Sequence, residues 1–319
     1  MTSALQIVPV AQGIDGRAFA AKLSLYILLL LIGGWLSTSW YTYGLAVIVL
    51  GVIFAHGVEL QHQCLHNTAF RSKRLNRMVG RFVGLPMLVS FSEYQGNHLR
   101  HHRLIGTPND RESFDYDYAH LNHPIQFLAH FFMVRHYAAK ARTLGRAMLP
   151  SEGADLRASR VVAEYRFMVG ILVLAITIGI MSNNYTVLSC WLIPLFLIAA
   201  PVHTLIELPE HVGCRLGTTD VRQNTRTIAA GRFAQWLANG NNFHVEHHWH
   251  AGIQVEYWPQ VHEAMRDEIE FLERSYWAFY RRWFTALRLG RVNDSSYWST
   301  GNAHREDNQG IGLAPTLIK

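Results

Sequence analysis

The chain has 319 residues, of which half are hydrophobic and only 16% charged, with a formal charge of +6. A typical soluble domain is about 25% charged, so the shortfall points to lipid as solvent, and the basic excess reads as a membrane feature with no nucleic-acid partner. Cys64, Cys190 and Cys214 form no CxxC pair and are odd in number, which excludes a disulfide framework and a thiolate zinc site.

In chain order, Asp15, Arg17 and Lys22 precede a long apolar region without a small-residue cleavage site, so the N-terminus is expected to be retained. Residues 23–36 and 45–54 are apolar and uncharged, joined by a polar aromatic turn holding Trp40, Tyr41 and Tyr43. A crossing takes roughly twenty residues, so 21–56 is expected to form a hairpin of two spans with an interfacial aromatic tip. Residues 166–206 repeat the arrangement around Asn183-Asn184-Tyr185. Neither tip carries Lys or Arg, whereas Arg71, Lys73, Arg74, Arg77, Arg81, Arg100 and Arg103 follow the first hairpin and more follow the second. The positive-inside rule then places both termini and the segments 57–165 and 207–319 in the cytoplasm. The expected fold is a single all-α integral membrane domain over 1–319: four transmembrane helices in two hairpins under a cytoplasmic helical cap. Interfacial or amphipathic helices are expected near 125–137 and 271–289, and no strand alternation is evident.

The chain's anomaly is histidine, with 18 copies. His62 and His66 lie four apart directly after the second span and share one helical face. His98, His101 and His102 form an HxxHH cluster, and His244, His247 and His248 form another. One HxxxH alone is more often a pair of ordinary hydrogen-bonded or exposed histidines. Three clusters on one membrane face are not explained that way. Eight imidazoles exceed the four ligands that zinc usually takes, and imidazole-rich sites suit iron, copper, zinc or nickel, so two ions are expected. His211, four residues after Glu207, is a ninth candidate ligand at the same depth, with a capping or ligand-supporting role as the alternative. His56, His203 and His250 are candidate supporting partners. His120, His123, His130, His136, His262 and His304 lack ligand spacing. Cys64 is expected to pack as a small residue on the face opposite the first pair.

Taken with the text around them, these boxes resemble the membrane fatty acid desaturase and hydroxylase superfamily. The resemblance runs from about His56 to Met265. It includes the stretch after the first box (residues 66–76), the stretch after the second (102–110), and Asn242-Phe243-His244 with Tyr257-Trp258-Pro259-Gln260-Val261-His262. It implies a mushroom-shaped fold whose cap holds a di-iron site, with iron cycling between Fe2+ and Fe3+ and O2 as co-substrate. In the stearoyl-CoA members an extra histidine follows the fourth helix, four residues after an asparagine. His211 matches the histidine while Glu207 stands at the asparagine's place, a candidate ligand or proton-handling group. Glu93-Tyr94-Gln95 and Trp249-His250-Ala251 also depart from the family pattern, beside the second and third boxes.

The resemblance implies an oxidoreductase, in a bacterial inner membrane, that attacks an unactivated C–H bond, foremost by desaturating a fatty acyl or other lipid substrate. Hydroxylation, alkene-forming decarboxylation of a fatty acid, and desaturation of a small amino-acid-like metabolite are the alternatives. Glu93, Asn97, Asp110, Arg111, Glu112 and Asp115 are candidate lining for a small charged substrate or, as readily, solvated loop residues. No fused electron-transfer domain is evident, so electrons are expected from a separate ferredoxin or rubredoxin with its reductase. A histidine-rich metal transporter would need ionisable groups within the spans, which are nearly absent. A zinc membrane hydrolase would need fewer ligands.

Overall fold

The computed structural model describes residues 14–110, 121, 123–147 and 156–300. The first pair of long helices is α1 (Gly16–Leu36) and α2 (Tyr43–Leu65). The Asp15 side chain caps α1 by accepting the Arg17 amide, which satisfies one of the donors a helix start leaves open. α2 does not stop at the end of its apolar run: it continues unbroken through the first histidine box to Leu65.

Between the long helices lie α3 (Lys73–Gly84), α4 (Phe91–Leu104), α5 (Pro124–Phe131) and α6 (Val134–Ala147). Ser72 and Ser90 cap α3 and α4 through their hydroxyls. The single helix expected over 125–137 is two, because Met133 takes a left-handed conformation (φ 52°) that interrupts the helix between α5 and α6.

The second pair is α7 (Leu156–Ser182) and α8 (Thr186–Pro194), continued by a π-helical turn at Leu195–Ala199 and α9 (Ala200–Glu207). Pro201 would drive its ring into the Leu197 carbonyl of a regular helix. The wider π turn, which contains Leu197, removes that clash. Four helices, Gly16–Leu36, Tyr43–Leu65, Leu156–Ser182 and Thr186–Glu210, are long and apolar enough to cross a membrane. α1 packs against α2 and α7 against α8, and the π turn lies on α2. A Cβ on Gly51 would come within 2.3 Å of the Ile198 Cβ, so only glycine permits that approach. α2 is the interior helix, whereas α1 and α7 leave Leu31 (66%) and Met181 (83%) uncovered. Apolar surface on that scale is stable in lipid and not in water; this is a membrane protein.

The C-terminal third comprises α10 (Val221–Asn224), β1 (Arg226–Ile228), α11 (Arg232–Leu237), α12 (His244–Trp249), α13 (Trp258–Met265), β2 (Phe271–Glu273), α14 (Tyr276–Leu289) and α15 (Ser295–Trp298). The two strands pair in parallel, Thr227 opposite Leu272, and correct the expectation of an all-helical chain. Every residue of β1 is buried, so no alternating pattern marks it in the sequence. Residues 271–273, expected as the start of a helix, form β2, and the helix begins at Tyr276 after the Ser275 cap. Phe271, Phe279, Trp283 and Trp298 make the local core. The buried Arg226 guanidinium lies 4.9 Å over the Phe279 ring and 5.0 Å over that of Trp298. Such desolvated cation–π contacts contribute about 2 kcal/mol.

Candidate metal centre

Each histidine box arrives on its own helix. His62 sits in the last turn of α2 and His66 caps it; Asn67 (φ 58°) then turns the chain away. His98, His101 and His102 occupy one face of α4. His244, His247 and His248 occupy the short helix α12, fixed to β1 by Glu246. That carboxylate is buried and accepts from the Thr227 hydroxyl (2.6 Å) and from His262 Nδ1 (2.5 Å).

The boxes converge on two adjoining points. At the first, His62, His66, His98, His102 and His247 bring their ligand atoms within 4.8 Å of one another. Their Nε2 separations are 2.7 Å for His62–His98, 2.9 Å for His66–His98, 2.9 Å for His98–His102 and 2.9 Å for His102–His247. At the second, His101 Nε2 is 3.3 Å from that of His248, and His244 Nε2 is 3.2 Å from those of His211 and His248. The stacked rings of His102 and His248, centroids 4.2 Å apart, form the wall between the points. All nine histidines singled out in the sequence thus lie in one cage.

Glu207 stands apart from it. Its Oε1 lies 3.1 Å from His203 Nε2, and His203 Nδ1 is 3.2 Å from Glu59. The carboxylate inside the second group is Glu210, with Oε2 3.2 Å from His244 Nε2 and Oε1 accepting from Asn241 (2.7 Å). Sequence spacing drew attention to Glu207 because it precedes His211 by four. The 3-10 turn at Leu208–Glu210 carries the chain on to His211 and brings Glu210 to the group instead.

The outer ring nitrogens are held. His101 Nδ1 donates to the buried Asp110 carboxylate (3.0 Å), His211 Nδ1 to the Asn224 carbonyl (3.0 Å) and His244 Nδ1 to Asn241 Oδ1 (3.1 Å). A neutral imidazole with its proton on Nδ1 presents a bare lone pair on Nε2. Several such lone pairs converge here, an arrangement that repels itself unless a cation lies between them. Two nitrogens at about 2.0–2.1 Å from one ion stand about 2.9 Å apart at a right angle and about 3.4 Å apart at the tetrahedral angle. The observed 2.7–3.3 Å fits that geometry. Burial keeps the rings neutral, as ligation requires: it pushes His66 down to about 4 and His211 down to about 3. His98, His102, His244, His247 and His248 lie well below the usual histidine range, from burial first and neighbouring histidines second.

Among the other candidates, His56 Nδ1 donates to the Leu237 carbonyl and its ring lies on Trp236. Cys64 is buried in an apolar cluster. Of the polar residues near the second box, Asp110 serves His101, Glu93 binds Lys140 and the Tyr165 hydroxyl, and Asn97 is exposed. Arg111, Glu112, Asp115, His120 and His304 lie outside the described residues. A cavity opens on one side of the cage, where Tyr94, Glu207, Leu208, Glu210 and Asn241 meet His62 and His98 of the first point and His101, His211 and His244 of the second.

The sequence model of the fatty acid desaturase family matches residues 38–306, a span that contains all three boxes. Over 76 residues the chain is 29% identical to the sn-1 acyl-lipid omega-3 desaturase (ferredoxin) of Synechocystis sp. (strain ATCC 27184 / PCC 6803 / Kazusa). That match covers 24% of this chain and 21% of the relative. With most of its length matched, the chain belongs to the fatty acid desaturase family.

Proposed function

We propose that the protein is an O2-dependent di-iron oxidoreductase that desaturates a lipid acyl chain. The observation that carries this reading is the pair of adjoining imidazole groups. His62, His66, His98, His102 and His247 would hold one iron; His101, His211, His244 and His248, with Glu210, would hold the other. An iron pair there supplies the activation of dioxygen against an alkyl C–H bond that no side chain offers. The balance is R–CH2–CH2–R′ + O2 + 2 electrons + 2 protons giving R–CH=CH–R′ + 2 H2O.

The chain's own groups prepare that chemistry. Asp110, Asn241 and the Asn224 carbonyl hold the Nδ1 protons and thereby aim each Nε2 inward. The cavity beside Tyr94 and Leu208 admits the target carbon next to the cage. Glu207 lines that cavity and is joined through His203 to Glu59. This row suits Glu207 Oε1 to deliver a proton better than to bind metal. The basic segments and charge-free tips support a cytoplasmic site with both termini inside. The relative's ferredoxin supports a separate ferredoxin-type donor here.

A second reading has one observation in its favour. Glu207, Glu210 and Asn241 make the cavity partly polar, which suits a small polar metabolite. Incubating iron-loaded protein with ferredoxin, its reductase, oxygen and a host lipid and metabolite extract separates the readings by mass. Loss of two hydrogens from a lipid class is expected. The same loss from a polar metabolite would favour the second reading, gain of one oxygen would make the enzyme a hydroxylase, and loss of carbon dioxide would indicate alkene formation.

A further inference from the structure

Away from that cavity, a cleft of about 490 Å³ opens onto the first histidine group. Its floor includes His66 and His102, the two members of that group that are not fully buried; His62, His98 and His247 are. Arg77 of α3, Arg103 of α4, and Arg157 and Arg160 at the start of α7 line it. None of these four arginines has a carboxylate partner among the described residues, although the chain pairs Arg81, Arg215, Arg222, Arg282 and Arg291 elsewhere. Arg157 is seated by the sequence: its guanidinium lies where a Cβ on Gly96 would stand, 0.8 Å from that position. A side chain at position 96 would therefore push Arg157 out of the cleft.

Four guanidinium groups without a carboxylate partner among the described residues, set around an open cleft, repel one another and favour an anionic occupant. Leu99 and Ala251 are the lining's aliphatic members, and the rest is arginine, histidine, Ser92, Gln95 and Gly96. What distinguishes the cleft from the rest of the basic surface is its floor, where imidazoles of the cage come to the surface.

We infer that this arginine-rimmed cleft is the docking surface for a small acidic one-electron carrier protein, placed so that electrons enter through the edges of His66 and His102. The inference rests on the proposed function and goes beyond it by naming the surface and its residues. Each visit oxidises one carrier by one electron, so two visits supply the two electrons that accompany two protons and one O2 per turnover. The cleft is floored by His66 and His102 and the substrate cavity by His62, His98, His101, His211 and His244; the two share no lining residue, so both can be bound at once.

The test uses the iron-loaded full chain in nanodiscs and a [2Fe–2S] ferredoxin as probe, with binding measured directly by titration at several salt concentrations. The double variant R157E/R160E should bind ferredoxin about tenfold or more weakly, lose most of the salt dependence, and show a raised KM for ferredoxin with little change in kcat. Single turnover driven by dithionite should match the wild type, and R157K/R160K should restore binding. G96L, which displaces Arg157 without removing charge, should weaken binding to a lesser degree. Unchanged ferredoxin binding in R157E/R160E would overturn the assignment. So would an equal loss of ferredoxin-driven and dithionite-driven turnover, which would place the arginines in the fold or the substrate site. Because binding is read without turnover, a wild type that binds ferredoxin but oxidises nothing would count against the proposed function and not against the docking surface.

Discussion

Asp110 is the residue on which the cage's geometry depends most visibly, since a buried carboxylate holds His101 Nδ1 from 3.0 Å. Loss of such a partner lowers metal affinity or activity by about 10–100-fold. Asp110→Asn should show that fall in an iron-binding titration, while folding normally. Glu210 and Glu207 should part company: Glu210→Gln lowers occupancy of the second iron position, whereas Glu207→Gln keeps iron and slows turnover, as read by metal analysis beside oxygen uptake. Acid acts on the same groups. His66 at about 4 and His211 at about 3 sit below the unfolded value of about 6.5. Between those limits the unfolded chain binds more protons than the folded one, so their stabilisation is complete above about 6.5 and fades as pH falls towards 3–4. Metal-free protein should therefore melt at progressively lower temperature from pH 7 to pH 4. A flat profile would show that the rings are not buried as neutral imidazoles. At this scale the histidines that converge were legible in the sequence, because spacing on a helix puts them on one face. Glu210, Asn241 and Asn224 were not, because their approach depends on turns and on contacts between distant segments.

At the scale of elements, the site depends on how helices meet. The Gly51–Ile198 approach fixes α2 against the π turn. Gly51→Val should destabilise the protein by about 1–3 kcal/mol through overpacking, with partial recovery in the G51V/I198A pair, both read by thermal melting in detergent. Glu246→Ala should loosen α12 from β1 by about 1–3 kcal/mol, since it strands the buried Thr227 and His262 donors. The four long helices were readable from uninterrupted apolar runs. β1 and β2 were not, since β1 is buried throughout and each strand is only three residues long, too short to show a period. The division of 125–137 into α5 and α6 was equally hidden, because a left-handed methionine at position 133 has no local signature.

For the whole molecule, charge-free tips and basic connecting segments set an orientation that labelling can check. Single cysteines at Thr38 and Asn184 should react only with reagent on the outer face, and one at Arg288 only from the cytoplasmic face; the reverse pattern would remove the docking surface from any cytoplasmic carrier. The central claim is that nine histidines on α2, α4, α12 and the segment after α9 hold two iron ions. It is tested most directly by elemental analysis of the purified full chain from iron-replete cells, alongside H98A and H248A variants. Two irons per chain, falling in each variant, is the predicted result. One zinc ion and no iron would contradict it.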